Sequence, residues 1–171
     1  MELTGGIEKR DIEIFDYDPR WRNKFEAHAE TIADALGASA LRIEHIGSTS
    51  VPGLAAKPII DILLVVANSA DEESYLPSLE AAGYRLRVRE PEFHEHRMLR
   101  TPSRDVHLHV FSPGSPEIER YLVFRDRLRN DVHDRQAYEA VKRKLAAQSW
   151  PDMNAYAAAK ADIVERIIAT V

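Results

Sequence analysis

The 171-residue chain contains no cysteine, which excludes disulfide stapling, thiolate catalysis and cysteine-ligated zinc. Its fold is therefore expected to rest on packing. No apolar run approaches the roughly 18 residues that a membrane span needs, and Met1 to Phe15 carries no apolar signal core. These absences predict a cytoplasmic protein with no membrane partner. Neither sign of charge dominates: 23 Lys and Arg against 28 Asp and Glu leave a net charge of −5. That balance disfavours nucleic acid as a partner and confines any phosphate site to a local basic pocket. Internal repeats, low-complexity tracts and long linkers are also missing. At 44% apolar residues, a chain of this length can bury one real core, so a single domain over 1–171 is expected.

What is present divides into a mixed front half and a helical rear. Ile12 to Tyr17 alternates as a short strand does. Asp18-Pro19 supplies the N-cap and first-turn proline of a helix to about Leu36, ended by Gly37. Trp21, Phe25, His28, Ile32 and Leu36 form its inward stripe, with His28 read as a buried or boundary histidine. Leu41 to Ile46 and Ile59 to Val66 read as strands, the second apolar enough to be buried on both faces. Asp71 to Ala82 reads as a helix closed by Gly83. Tyr84 to Arg89, Phe93 to Arg100 and Val106 to Phe111 are further strands, the last two a hairpin across Thr101-Pro-Ser-Arg104. Three helices follow, opening near Ser115-Pro116, Asp134 and Pro151-Asp152.

The chemistry concentrates between His45 and Asp61. A strand stops at Gly47-Ser48, where the missing Cβ permits a sharp turn and close approach of a ligand; Ser48 and Thr49 add hydroxyls. Lys57 can offer a point charge to phosphate oxygens, and Asp61, inside an apolar strand, can hold a divalent cation. A carboxylate placed there needs a cation, hydrogen-bond donors or a cleft edge. The residues alone leave two readings open: a phosphate and metal site, or turn glycines at Gly47 and Gly53 with Asp61 paired to Lys57. His107 and His109 share one strand face and can point into one cleft. His94 and His96 repeat that spacing but stand among charges, and are read as exposed. Arg85, Arg87 and Arg89 read as the solvated face of an edge strand. Arg125 and Asp126 read as surface charges or structural ion pairs, and Lys142 and Lys160 as structural residues.

The order of a strand, a Gly-Ser turn, a connecting loop and an Asp in an apolar strand resembles the nucleotidyltransferase superfamily. The fuller string, His45 through Val51-Pro52-Gly53-Leu54 and Ala56-Lys57-Pro58 to Asp61-Ile62, resembles the GrpB family. So do Tyr17-Asp18-Pro19, Trp21, His107-Leu-His-Val110, Phe124-Arg-Asp126, Leu128-Arg129, Tyr138 and Lys142, which extend the resemblance over nearly the whole chain. It implies an α+β fold: a nucleotidyltransferase-like mixed sheet, helices packed chiefly on one side, and a helical C-terminal part. It also implies a nucleoside triphosphate substrate bound by His45, Gly47, Ser48, Thr49 and Lys57. A divalent metal, magnesium or manganese with zinc as the alternative, is expected on Asp61, His107 and His109, the implied catalytic residues. One departure stands out. The superfamily pattern has a second acid two residues after the first, and here that position is Leu63, while a later acid is replaced by His107-Leu-His109. Three functions follow: metal-dependent nucleotidyl or phosphoryl transfer to a small acceptor, a nucleotide- or phosphate-binding module without metal chemistry, or a single-metal hydrolase using Asp61, His107 and His109. The resemblance further implies a link to coenzyme A metabolism, through relatives joined to dephospho-CoA kinase.

Overall fold

The computed structural model describes residues 1–9 and 11–170; Arg10 and Val171, inside the span expected for the domain, lie outside the described residues. Among the described residues, one six-stranded sheet contains β1 (Glu2–Leu3), β2 (Arg42–Ile46), β3 (Ile60–Val65), β4 (Arg85–Glu90), β5 (His96–Arg100) and β6 (Val106–Phe111). The spatial order is β1-β4-β5-β6-β3-β2. The helices are α1 (Arg20–Leu36), α2 (Leu76–Ala81), α3 (Pro116–Asn130), α4 (Val132–Ala146), α5 (Met153–Ala159) and α6 (Ala161–Ala169). None is long and apolar enough to cross a membrane.

Strand parity decides what each face of the sheet carries. β3 and β6 are parallel, with Ile60, Ile62 and Leu64 opposite Val106, Leu108 and Val110. These side chains pack with Trp21, Ile32 and Leu36 of α1 and with Leu79 of α2. On the other face, Leu63, Val65, Phe111 and Ile46 pack against Ile118 and Leu122 of α3. At roughly 1.5–3 kcal/mol per fully buried aliphatic side chain, the inward rows are the main source of stability. A third cluster joins Val51 and Leu54, just beyond the Gly47 turn, to Leu128, Tyr138, Ile163 and Ile167 of the helical C-terminal part.

Several expected elements are altered by tertiary pairing. Ile12 to Tyr17 yields only a single bridge, Phe15 to Ala56, because the chain then turns into the Asp18 cap, whose Oδ1 accepts from the Arg20 amide at 2.9 Å. The outer strand is instead β1, paired with β4. Arg87 is consequently not solvated: it is 7% exposed and donates to the carbonyls of Thr4 and Gly6. Arg89 is likewise engaged, donating to Glu72. β5 starts only at His96, since His94 and Glu95 both adopt φ 53° in a tight turn. The helix expected from Asp71 splits into a 3-10 turn, Glu72–Ser74, and α2, whose first turn holds Pro77. α4 opens from Asp131, which caps the His133 and Asp134 amides. The last expected helix is two, α5 and α6, meeting at Lys160.

Candidate functional site

Parallel pairing of β3 with β6 sets Asp61 opposite His107 and Leu63 opposite His109. The odd-numbered positions share a face, so a carboxylate and two imidazoles converge. His109 Nε2 lies 3.2 Å from Asp61 Oδ1, and His107 Nδ1 lies 3.7 Å from the same oxygen. One ligand atom from each of the three residues falls within 4.8 Å of the others. The side chains are partly open, at 30% for Asp61, 24% for His107 and 16% for His109. An ion can therefore reach them.

Their protonation suits a cation. Burial pushes the Asp61 carboxyl up, but the His109 hydrogen bond and the charges of His109, His107 and Lys57 outweigh it and hold the group below its ordinary value. Burial drives His107 down to about 4 against the opposing pull of Asp61. At neutral pH this leaves an anionic carboxylate beside a neutral imidazole, the states that metal ligation requires. Two nitrogens and one carboxylate oxygen fit a borderline ion such as Zn²⁺ better than Mg²⁺, which prefers all-oxygen surroundings; Mn²⁺ stands between them. Leu63, fully buried under α3, offers no second acid.

Gly47 is required by contact as well as by conformation. Its φ is 73°, and a Cβ there would stand 2.6 Å from Asp61 Oδ2. The turn that follows closes through Ser50 N to Gly47 O at 3.1 Å and Val51 N to Ser48 O at 3.2 Å, bonds that use the carbonyls of the turn. Gly47, Ser48 and Asp61 line a cleft of about 230 Å³ together with Tyr121, Tyr138 and Lys160.

Three lysines surround this end of the molecule. Lys57 and Lys160 stand 5.0 and 4.8 Å from the Tyr156 ring centroid, and Lys142 stands 5.0 Å from that of Tyr138. Lys142 is only 2% exposed and donates to the Ala55 carbonyl. Burial, then the charges of Lys160 and Lys57, push it down to about 6. Burial also lowers Lys160, opposed by Asp61. Lys142 thus keeps the structural role expected of it, while Lys160 lines the cleft beside Asp61. Lysine within an apolar helical stripe was the available signal.

Two residues expected at the nucleotide are turned away from Asp61. His45 occupies the opposite strand parity, so it faces α1, where it stacks on Phe25 at 4.6 Å. Its Nε2 is 3.0 Å from Thr49 Oγ1, which donates to the Ile59 carbonyl at 3.3 Å. Both are buried, and they brace the turn from behind. His96 corrects the expectation of exposure: it is 7% exposed and lies 3.1 Å from His109. His94 is exposed as expected. Arg125 forms the expected ion pairs, with Glu44 and Asp126.

Comparison with known proteins matches this geometry to a family. A sequence profile described as GrpB protein matches residues 11–170. A UPF0157 protein of Halalkalibacterium halodurans is 55% identical over 171 residues, covering 98% of this chain and 88% of its own length. The crystal structure of conserved protein GrpB from Enterococcus faecalis superposes with a TM-score of 0.80 at 32% identity, covering 92% of this chain and 98% of that one. The Cid1 poly(U) polymerase with Mg 3'-dATP bound superposes with a TM-score of 0.56 at 12% identity, over 85% of this chain and 49% of that one, a likeness of fold alone. A dephospho-CoA kinase of Mycolicibacterium paratuberculosis is 30% identical over a gapped alignment of 183 positions that covers 92% of this chain but 45% of that protein.

Proposed function

The chain belongs to the GrpB family, and from that premise we propose that it transfers a nucleotidyl or phosphoryl group from a nucleoside triphosphate to a small acceptor, aided by a divalent metal. The observation that carries this reading is the meeting of Asp61, His107 and His109 within 4.8 Å, with Asp61 on the cleft that Gly47 and Ser48 also line. The three residues would hold the metal, which when bound supplies charge neutralisation to a reacting phosphate. The chain's own groups do the rest. Gly47 lets the turn approach the phosphates closely, while Ser48 adds a hydroxyl at the cleft wall. Lys57 and Lys160 offset phosphate charge, while Lys142, held mostly neutral by burial, anchors the loop through the Ala55 carbonyl. Tyr121 and Tyr138 bound the cleft and limit the entry of water. Leu63 in place of an acid favours one metal over two. The donor set favours manganese or zinc, although magnesium is the metal of the Cid1 complex. A cytoplasmic setting, where nucleoside triphosphates are abundant, fits the reading.

The test is a screen of the four nucleoside triphosphates with Mg²⁺, Mn²⁺ or Zn²⁺, following release of pyrophosphate and phosphate, with Asp61→Asn as control. The similarity to part of a dephospho-CoA kinase makes dephospho-coenzyme A an acceptor to include. Metal-dependent release lost in Asp61→Asn is the expected result. Absence of nucleotide binding would overturn the proposal. Binding without turnover would identify a nucleotide-binding module, a reading favoured by Leu63, and metal-dependent hydrolysis of phosphoesters without a nucleotide would identify a single-metal hydrolase.

A further inference from the structure

His96 is held more tightly than any structural need of β5 explains. In the β5–β6 pairing Met98 lies opposite His109, so His96 shares the face of Asp61, His107 and His109. Its ring stacks on Phe111 at 4.8 Å and on His109 at 5.3 Å, with Phe93 edge-on at 6.3 Å. Both of its nitrogens are spoken for. Nδ1 lies 2.6 Å from Glu90 Oε2, and Nε2 lies 3.1 Å from His109 Nδ1. The far nitrogen of His109, Nε2, is the one 3.2 Å from Asp61 Oδ1. Glu90, His96, His109 and Asp61 thus form one unbranched file of hydrogen-bonding groups.

A neutral imidazole carries a single N–H, so each link constrains the next. A Glu90 carboxylate accepts from His96 Nδ1–H, which leaves His96 Nε2 as an acceptor. With a divalent metal taking the place of the Nε2 proton that Asp61 otherwise accepts, His109 then donates through Nδ1–H and offers its lone pair on Nε2. That lone pair is aimed at the volume shared with Asp61 and His107. We propose that His96, anchored by Glu90, is a positioning residue that fixes the ring plane of His109 and its Nδ1–H tautomer, so that Nε2 is presented to a divalent metal. The inference rests on the metal reading of Asp61, His107 and His109. An outer hydrogen-bond partner of this kind typically contributes about 10–100-fold to metal affinity.

Long-range ¹H–¹⁵N correlation on the wild-type protein with Zn²⁺ decides the tautomer without any variant. His109 should appear as Nδ1–H with Nε2 bound to zinc; ligation through Nδ1, or an Nε2–H tautomer, would overturn the proposal. Calorimetric titration with Zn²⁺ alone is the second arm. His96→Phe keeps the stack on Phe111 and removes both nitrogens, so affinity should fall about 10–100-fold. His96→Gln restores an acceptor facing His109 and should recover most of the loss, which a merely structural role would not predict. Wild-type affinity in His96→Phe, or equal losses in the two variants, would reject the positioning role while leaving the metal reading intact. A wild-type protein that binds no Zn²⁺, like Asp61→Asn, would remove both.

Discussion

The two faces of the sheet treat histidine in opposite ways. Towards α1, His45 is stacked on Phe25 and bonded to Thr49, which in turn bonds Ile59, so its hydrogen bonds are used internally. Towards the cleft, His107 and His109 lean on Asp61, itself 30% exposed. One face is closed by α1 and α2, and the other is covered by α3 only beyond Leu63 and Phe111. Coverage therefore separates a bracing histidine from one able to bind a ligand, although both sit on strands of one sheet and both are shifted down to about 4 by burial.

The contrast breaks most completely at Asp61. Asp61→Asn should lower Zn²⁺ or Mn²⁺ affinity more than about 100-fold, beyond the loss of an outer-shell partner, and abolish metal-dependent turnover; titration calorimetry and a release assay measure both. Gly47→Ala comes next. Its Cβ would collide with Asp61 at a positive φ, so denaturant unfolding should record a loss of at least ~1–3 kcal/mol from backbone strain, together with weakened metal binding. A loss of stability alone, with metal affinity intact, would show that the turn and Asp61 are independent.

Proton linkage sharpens the comparison further. His45 has a folded value of about 4 against an ordinary 6.5, so between those values the unfolded chain binds more protons. Stability should then fall as pH drops from 6.5 through 4, by on the order of 3 kcal/mol from this group. His45→Gln should flatten that part of the pH profile without altering Zn²⁺ affinity at neutral pH. Lys142 acts at higher pH: its folded value of about 6 lies under an ordinary 10.5, so stability should rise with pH across that interval. Lys142→Met should remove this slope, which thermal shift across that pH range measures. The smallest effect belongs to His94→Ala. Being exposed, His94 should change stability by less than about 0.5 kcal/mol and leave Zn²⁺ affinity unchanged, whereas His96 two residues away should not be so tolerant.

Much of the fold was legible in local pattern. The apolar run Ile59 to Val66 contains β3, interior to the sheet between β6 and the edge strand β2, and Val106 to Phe111 has the bounds of β6. Asp61 stood out as an acid among apolar residues, and the spacing of His107 and His109 placed them on one face. His96 was hidden because its charged neighbours suggested exposure, whereas the positive-φ turn at His94 and Glu95 folds it under Phe93. The place of Lys160 in the cleft was hidden because helical periodicity describes one helix at a time: its stacking on Tyr156 is a local i,i+4 contact, like that of Lys142 on Tyr138, but its approach to Asp61 joins the α5–α6 junction to β3.

The sequence by itself determined the properties that repeat over a few residues: which segments bury a face, where caps and turns interrupt them, and which side chains share a strand face. Those follow from the fixed periods of strand and helix. Only the tertiary structure decided that β3 lies beside β6 in parallel, that His45 falls behind the turn while His96 falls beside His109, and that Lys57 and Lys160 come near Asp61. Such choices depend on which apolar faces pack together across the whole chain, and no local period encodes that pairing.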